Sequence, residues 1–239
     1  MDLQTLIGGA LAISMTVAFV GVGLTVLPRW RHRTVSVMPV ILAATTFAVG
    51  TYFIVTQNIA SKVLIAGAVG VFDVQIFIFS IAGGSISAFL AFRLEAIITQ
   101  RWYRNRVSRD LSFLYMPVAR RSETMNAVGQ LAQRNSIIFT ALSILSAGGE
   151  EFFYRGVFLL GGFTFLHEDL LFHLLLLQAM VYGVNHIAFG IPAVAGKSVL
   201  GLILGVTAVA GGPIASLLVH LFYQFLVLLQ FRVKERNCS

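Results

Sequence analysis

Apolar positions along the chain gather into seven runs separated by short polar breaks. The first covers about Leu3 to Leu27 and ends at a basic knot of Arg29, Arg31, His32 and Arg33. The second covers about Ser36 to Val55, the third about Val63 to Phe92, the fourth about Ile137 to Phe163 and the fifth about Leu170 to Ile191. A short turn marked by Pro192 and Lys197 leads into the sixth, about Val199 to Ala210. Gly211-Gly212-Pro213 then interrupts the chain before the seventh, Ile214 to Phe231. Most of these runs reach the ~20 apolar residues that a bilayer span needs. The pattern therefore predicts an all-α, polytopic membrane helix bundle with about seven transmembrane helices.

One polar stretch, Arg93 to Arg134, is more than a loop. Between Leu94 and Leu114 it interleaves Ile97, Ile98, Trp102, Tyr103, Val107 and Leu111 with arginines. That pattern suits an amphipathic helix lying at the headgroup boundary, in contact with membrane lipids. The basic residues also give an orientation. Three Lys and Arg lie in 28–35, eight in 93–136, one in 192–198 and three in the tail after Phe231, whereas the opposite loops hold only Lys62. By the positive-inside rule the N-terminus faces out and the tail faces the cytoplasm. The third run is read as one long, tilted or kinked helix, because splitting it would put the two basic clusters on opposite sides. No internal repeat is visible, so 1–239 reads as a single membrane domain. Its parts are N-terminal helices with a cytoplasmic amphipathic segment, 1–136, and a C-terminal core, 137–231.

Composition agrees with this reading and removes alternatives. Hydrophobic residues make up 57% of the 239, and charged residues only 11%. A soluble domain carries about 25% charge, so soluble enzyme, disordered chain and coiled coil are excluded. The formal charge of +7 belongs to topology rather than to nucleic acid. A lone Cys238 excludes an internal disulfide framework.

Against this background, the charges inside the runs stand out: Asp73, Glu150, Glu151 and Arg155. Each costs roughly 2.5–3.5 kcal/mol at a helix centre if uncompensated. Asp73 reads as structural or water-contacting, and His173 as a packing residue. Glu151 and Arg155 stand four apart, acid before base, on one helix face, which suits an ion pair. Glu150 lies about 100° around the helix without that partner, and suits a general base that activates water. His186 lies in the fifth run. His220 lies in the seventh, followed one turn later by Gln224, and both can donate to a developing oxyanion. Two carboxylates, two imidazoles and an amide on three helices make a hydrolytic centre. Glu150, His186 and His220 are also ligand types that zinc accepts. Counted from the run ends, His186 and Glu150 sit about 7 and about 20 Å deep. A single site needs them level, so either the run boundaries lie several residues away or the fourth helix bends near Gly148-Gly149.

The string Glu150-Glu151-Phe152-Phe153-Tyr154-Arg155 resembles the Glu-Glu-x-x-x-Arg signature of the CAAX protease and bacteriocin-processing family of intramembrane proteases. Tyr182 to His186 resembles its second motif, an aromatic followed four residues later by His. Gly201 to Gly205 is similar to its small-xxx-small helix element, which permits close helix packing. His220 matches the His of its last motif, His-x-x-x-Asn, in which Gln224 here replaces the Asn. The resemblance covers about Ile137 to Phe231. It implies that Glu150 with His186 activates water, that Glu151 and Arg155 order the site, and that His220 with Gln224 binds the oxyanion. The family is described both as metal-dependent and as glutamate-type. With no cysteine or third histidine aligned, no cofactor and glutamate-type chemistry are expected, zinc on Glu150, His186 and His220 being the alternative.

The resemblance also implies a substrate. It would be a membrane-associated protein or peptide precursor, lipidated or not, cleaved near its membrane-proximal C-terminal part. A non-catalytic receptor or scaffold on the same fold is the second reading, and a proton-coupled transporter using Asp73 and Glu150 the third. Low cysteine content and small size point to a bacterial inner membrane.

Overall fold

A computed structural model describes residues 3–26, 31–57, 73–107, 136–165, 170–187 and 191–236, and among these all regular structure is helical. Arg29, Lys62, the segment 108–135, the His167-Glu168-Asp169 loop and Cys238 lie outside the described residues. Helix α1 spans Leu3–Val26, α2 Arg31–Gln57 and α3 Val74–Val107. Helix α4, Ser136–Glu150, passes without interruption into a π-helical segment, Glu151–Gly161, and then into the single turn α5, Gly162–Phe165. Helix α6 spans Leu171–Val184, and α7 Ile191–Arg236.

Among the described residues, four helical stretches are long and apolar enough to cross a membrane: Val37–Thr56, Val74–Trp102, Ile137–Gly161 and Ile191–Gln230. Ile7–Val17 and Leu171–Val184 are shorter apolar helices. The all-helical membrane architecture thus holds among the described residues. The sixth and seventh runs belong to one element of 46 residues whose backbone leaves helical geometry at Gly212, with φ 85° and ψ 169°. Only glycine adopts this region readily. The two arms, 191–211 and 213–236, fold back on each other. Lys197 reaches Tyr223 and Ser216 reaches the Leu204 carbonyl, and both pairs straddle the Gly211-Gly212-Pro213 break.

Other boundaries also moved. The separate interfacial helix expected over Leu94–Leu114 is, as far as Val107, the continuation of α3. No Gly or Pro lies between Ala91 and Val107 to stop the helix. Asp73 caps α3 rather than sitting within it. Its Oδ1 accepts from the backbone N–H of Gln75 at 2.7 Å and of Ile76 at 3.2 Å. Lys197 lies inside α7, not in a turn, because Pro192 occupies the first turn of that helix, where its missing N–H is harmless.

The core gathers on the π-helical segment, where all residues but Phe152 are buried. Phe153, Tyr154, Val157, Phe158 and Leu159 pack with Leu174 and Tyr182 of α6 and with Leu200, Leu204 and Val219 of α7. Gly201 lets α7 approach α6, since a Cβ there would stand 2.9 Å from the Tyr182 ring and 3.1 Å from the Ala179 backbone. Large apolar side chains cover the outside, including Phe19, Phe79 and Ile137, each more than 70% exposed. Such a surface suits lipid rather than water, and the chain is an integral membrane protein.

Candidate active site

The site is built where the start of the π-helical segment meets α6 and the second arm of α7. Glu150, Glu151, Arg155 and His220 are all at least 98% buried. Charges removed from water to this degree cost several kcal/mol each and persist only with compact pairing. Glu151 has that pairing. Arg155 Nη1 lies 3.1 Å from its Oε1. The same oxygen is 2.8 Å from His220 Nδ1, and the Ser216 hydroxyl donates to its Oε2. A carboxylate facing a guanidinium acts as acceptor only, so His220 Nδ1 carries the proton in their contact.

Arg155 is held on two further sides. Its guanidinium stacks 4.4 Å from the centre of the Tyr182 ring, and Nη2 donates to the Gly201 carbonyl at 3.4 Å. Gln178 donates to that same carbonyl at 2.9 Å. Small residues at 201 and 205 bring this backbone oxygen within reach of α6 and the π-helical segment.

Glu150 is bonded differently. The Ser146 hydroxyl donates to its Oε1 at 2.9 Å, and its Oε2 is buried with no hydrogen-bond partner among the described residues. Adjacent in sequence, the two carboxylates are thus divided: one has both oxygens engaged and one has an oxygen to spare.

The structure brings His220 and Gln224 together, with Gln224 Nε2 3.4 Å from His220 Nε2. His186 stands just beyond the end of α6, and its Nδ1–H donates to the Tyr182 carbonyl at 3.1 Å. That leaves Nε2 as its accepting nitrogen. Tyr182 lies between the two imidazoles, with ring centres 5.2 Å from His186 and 6.1 Å from His220. The neighbours of His186 and Glu150 are linked across the two helices. Asn185 donates to the Tyr154 hydroxyl at 2.6 Å, and Tyr154 is one turn from Glu150. No bend at Gly148-Gly149 is involved, since the helix runs through both glycines. Helix α6 stops at Val184 and not at Ile191, so His186 lies just beyond its end.

Among the described residues, no three His, Cys, Asp or Glu side chains converge as metal ligands, so Glu150, His186 and His220 do not form such a set. His173 is exposed on α6, its ring against Phe172.

Sequence reasoning passed over Ser216, Ser146 and the Tyr182 hydroxyl. The first two carried a signal: each stands four residues before a site residue, His220 and Glu150, on the same helix face. The third carried none, since an aromatic in a helix reads as packing. A second polar cluster was also missed. Tyr223 donates to Glu95 Oε2 at 2.6 Å, and Lys197 donates to Tyr223 at 2.9 Å. This cluster ties α3 to both arms of α7.

Residues 132–226 match the model of a family described as type II CAAX prenyl endopeptidase Rce1-like. The match bears out the resemblance drawn from the motifs, and it covers under half of the chain, including all six expected site residues. No curated protein and no solved structure matches the chain.

Proposed function

We propose that the chain is a glutamate-type intramembrane endopeptidase. It hydrolyses a peptide bond near the membrane-proximal C-terminal end of a membrane-associated protein or peptide. The observation that carries this reading is the division of labour between the carboxylates. Glu151 is spent on Arg155, His220 and Ser216, whereas Glu150 keeps a buried, unpartnered oxygen. A desolvated carboxylate with an open lone pair is the group that can take a proton from water.

The step balances as follows. Water, accepted by Glu150 and His186 Nε2, gives a proton to Glu150 as its oxygen bonds to the scissile carbonyl carbon. The carbonyl π pair moves to oxygen, and the oxyanion forms beside His220 with the Gln224 amide as a donor. Collapse breaks the C–N bond, and the Glu150 proton passes to the leaving nitrogen. The ionised Glu151–Arg155 pair transfers no proton; it fixes His220 and the Tyr182 ring.

The family description supplies the first substrate to try, a peptide ending in a prenylated Cys-aliphatic-aliphatic-X box. With such a peptide, or with a membrane-anchored precursor, Glu150→Gln and His186→Ala are expected to abolish cleavage while the protein still inserts and purifies as a folded species. Retained cleavage in both variants sinks the reading. The orientation that accompanies it, N-terminus outside and tail in the cytoplasm, rests on the basic residues.

A further inference from the structure

Resting on the endopeptidase reading, we infer that the Tyr182 hydroxyl is a catalytic oxyanion donor, acting beside the Gln224 amide. His220 has its Nδ1–H committed to Glu151 at 2.8 Å. In the neutral ring, Nε2 then bears a lone pair and is itself an acceptor. Two donors from different helices converge on it: the Tyr182 O–H at 3.3 Å, from α6, and the Gln224 N–H at 3.4 Å, from the second arm of α7.

Both contacts are long for their type, beyond the usual 3.0 Å for O–H and 3.2 Å for N–H donors. Neither donor is tightly spent on the imidazole. A carbonyl oxygen seated beside Nε2 takes both hydrogen bonds, and they shorten as negative charge builds on it. His220 serves as the placeholder that keeps the two donors aimed at one point between turnovers.

The phenol is also held in place beforehand, as this kind of stabilisation requires. Its ring is stacked under the Arg155 guanidinium, meets the Tyr154 ring edge-on at 6.0 Å, and passes over Gly201, where a Cβ would collide with it. A phenylalanine would keep every one of these ring contacts. Packing therefore does not account for the hydroxyl, whose only described hydrogen-bond partner is His220 Nε2. The phenol donates a hydrogen bond without giving up its proton, so the transfer from water to Glu150 to the amine is unchanged.

The test uses the full-length protein in lipid nanodiscs and an internally quenched, prenylated peptide ending in Cys-aliphatic-aliphatic-X. Tyr182→Phe is expected to lower kcat about 100-fold, with KM little altered and thermal unfolding close to that of the unaltered chain. Full kcat in a folded Tyr182→Phe protein overturns the inference and leaves the endopeptidase reading standing. Failure of the unaltered chain to cleave the peptide overturns that reading and this inference with it. Should Tyr182→Phe not fold, 3-fluorotyrosine at 182 keeps the ring and strengthens the phenol as a donor. It is expected to raise kcat at fixed KM, and an unchanged kcat overturns the inference.

Discussion

Glu151 receives contacts from Arg155, His220 and Ser216, and this concentration of partners makes the pair with Arg155 a matter of stability as well as of chemistry. Removing the guanidinium leaves a carboxylate buried without its countercharge. Breaking a buried pair in this one-sided way costs ~3–5 kcal/mol. Arg155→Met is therefore expected to lower the thermal unfolding midpoint in detergent more steeply than Glu150→Gln, which removes a charge and leaves none stranded. Equal midpoints for the two variants would contradict the assignment of Glu151 as the paired carboxylate. At this scale the sequence was readable where partners share a helix. Glu151 with Arg155, and His220 with Gln224, each stand four residues apart, so spacing revealed them. The link between Glu151 and His220 joins residues 69 apart in the chain. No local pattern encodes such a contact, because it depends on how two helices are brought side by side.

Among the elements, α7 departs most from a simple span. Its hairpin was legible, since Gly211-Gly212-Pro213 removes both a helical donor and helical geometry at one place. The φ of 85° and ψ of 169° at Gly212 lie in a region costing other residues ~1–3 kcal/mol. Gly212→Ala is expected to destabilise the protein by about that amount. It should also depress cleavage beyond the loss of folded protein, because the second arm carries His220 and Gln224. Activity per folded molecule equal to that of the unaltered chain would separate the hairpin's apex from the site. The open end of the hairpin is closed by Lys197, Tyr223 and Glu95. That clamp was illegible for a physical reason: a charge between two apolar runs reads as a loop residue, and its partner lay in a stretch taken to be interfacial. The π-helical winding over Glu151–Gly161 was illegible as well. Nothing in Glu-Phe-Phe-Tyr-Arg-Gly-Val-Phe-Leu-Leu-Gly distinguishes it from an ordinary buried helix.

For the whole molecule, composition alone established the solvent. Apolar side chains outside and polar groups within follow from a chain with 57% hydrophobic and 11% charged residues. The arrangement of crossings followed less directly, since α6 has only 14 residues and α7 doubles back. The orientation can be checked with the chain's own reporter, its single cysteine at 238. In right-side-out vesicles a membrane-impermeant maleimide is expected to label Cys238 only after permeabilisation. Labelling of intact vesicles would reverse the orientation argued from the basic residues.

The near-complete burial of Glu150 and His220 has one more consequence. On the proposed endopeptidase reading, hydrolysis consumes a water molecule at every turnover, and the two side chains that reading assigns to the reaction are at least 98% buried. Water is then a second substrate with its own delivery step to a buried site. At saturating peptide the rate then follows the osmotic strength of the medium, in contrast to an open-cleft protease, whose nucleophile is always at bulk concentration.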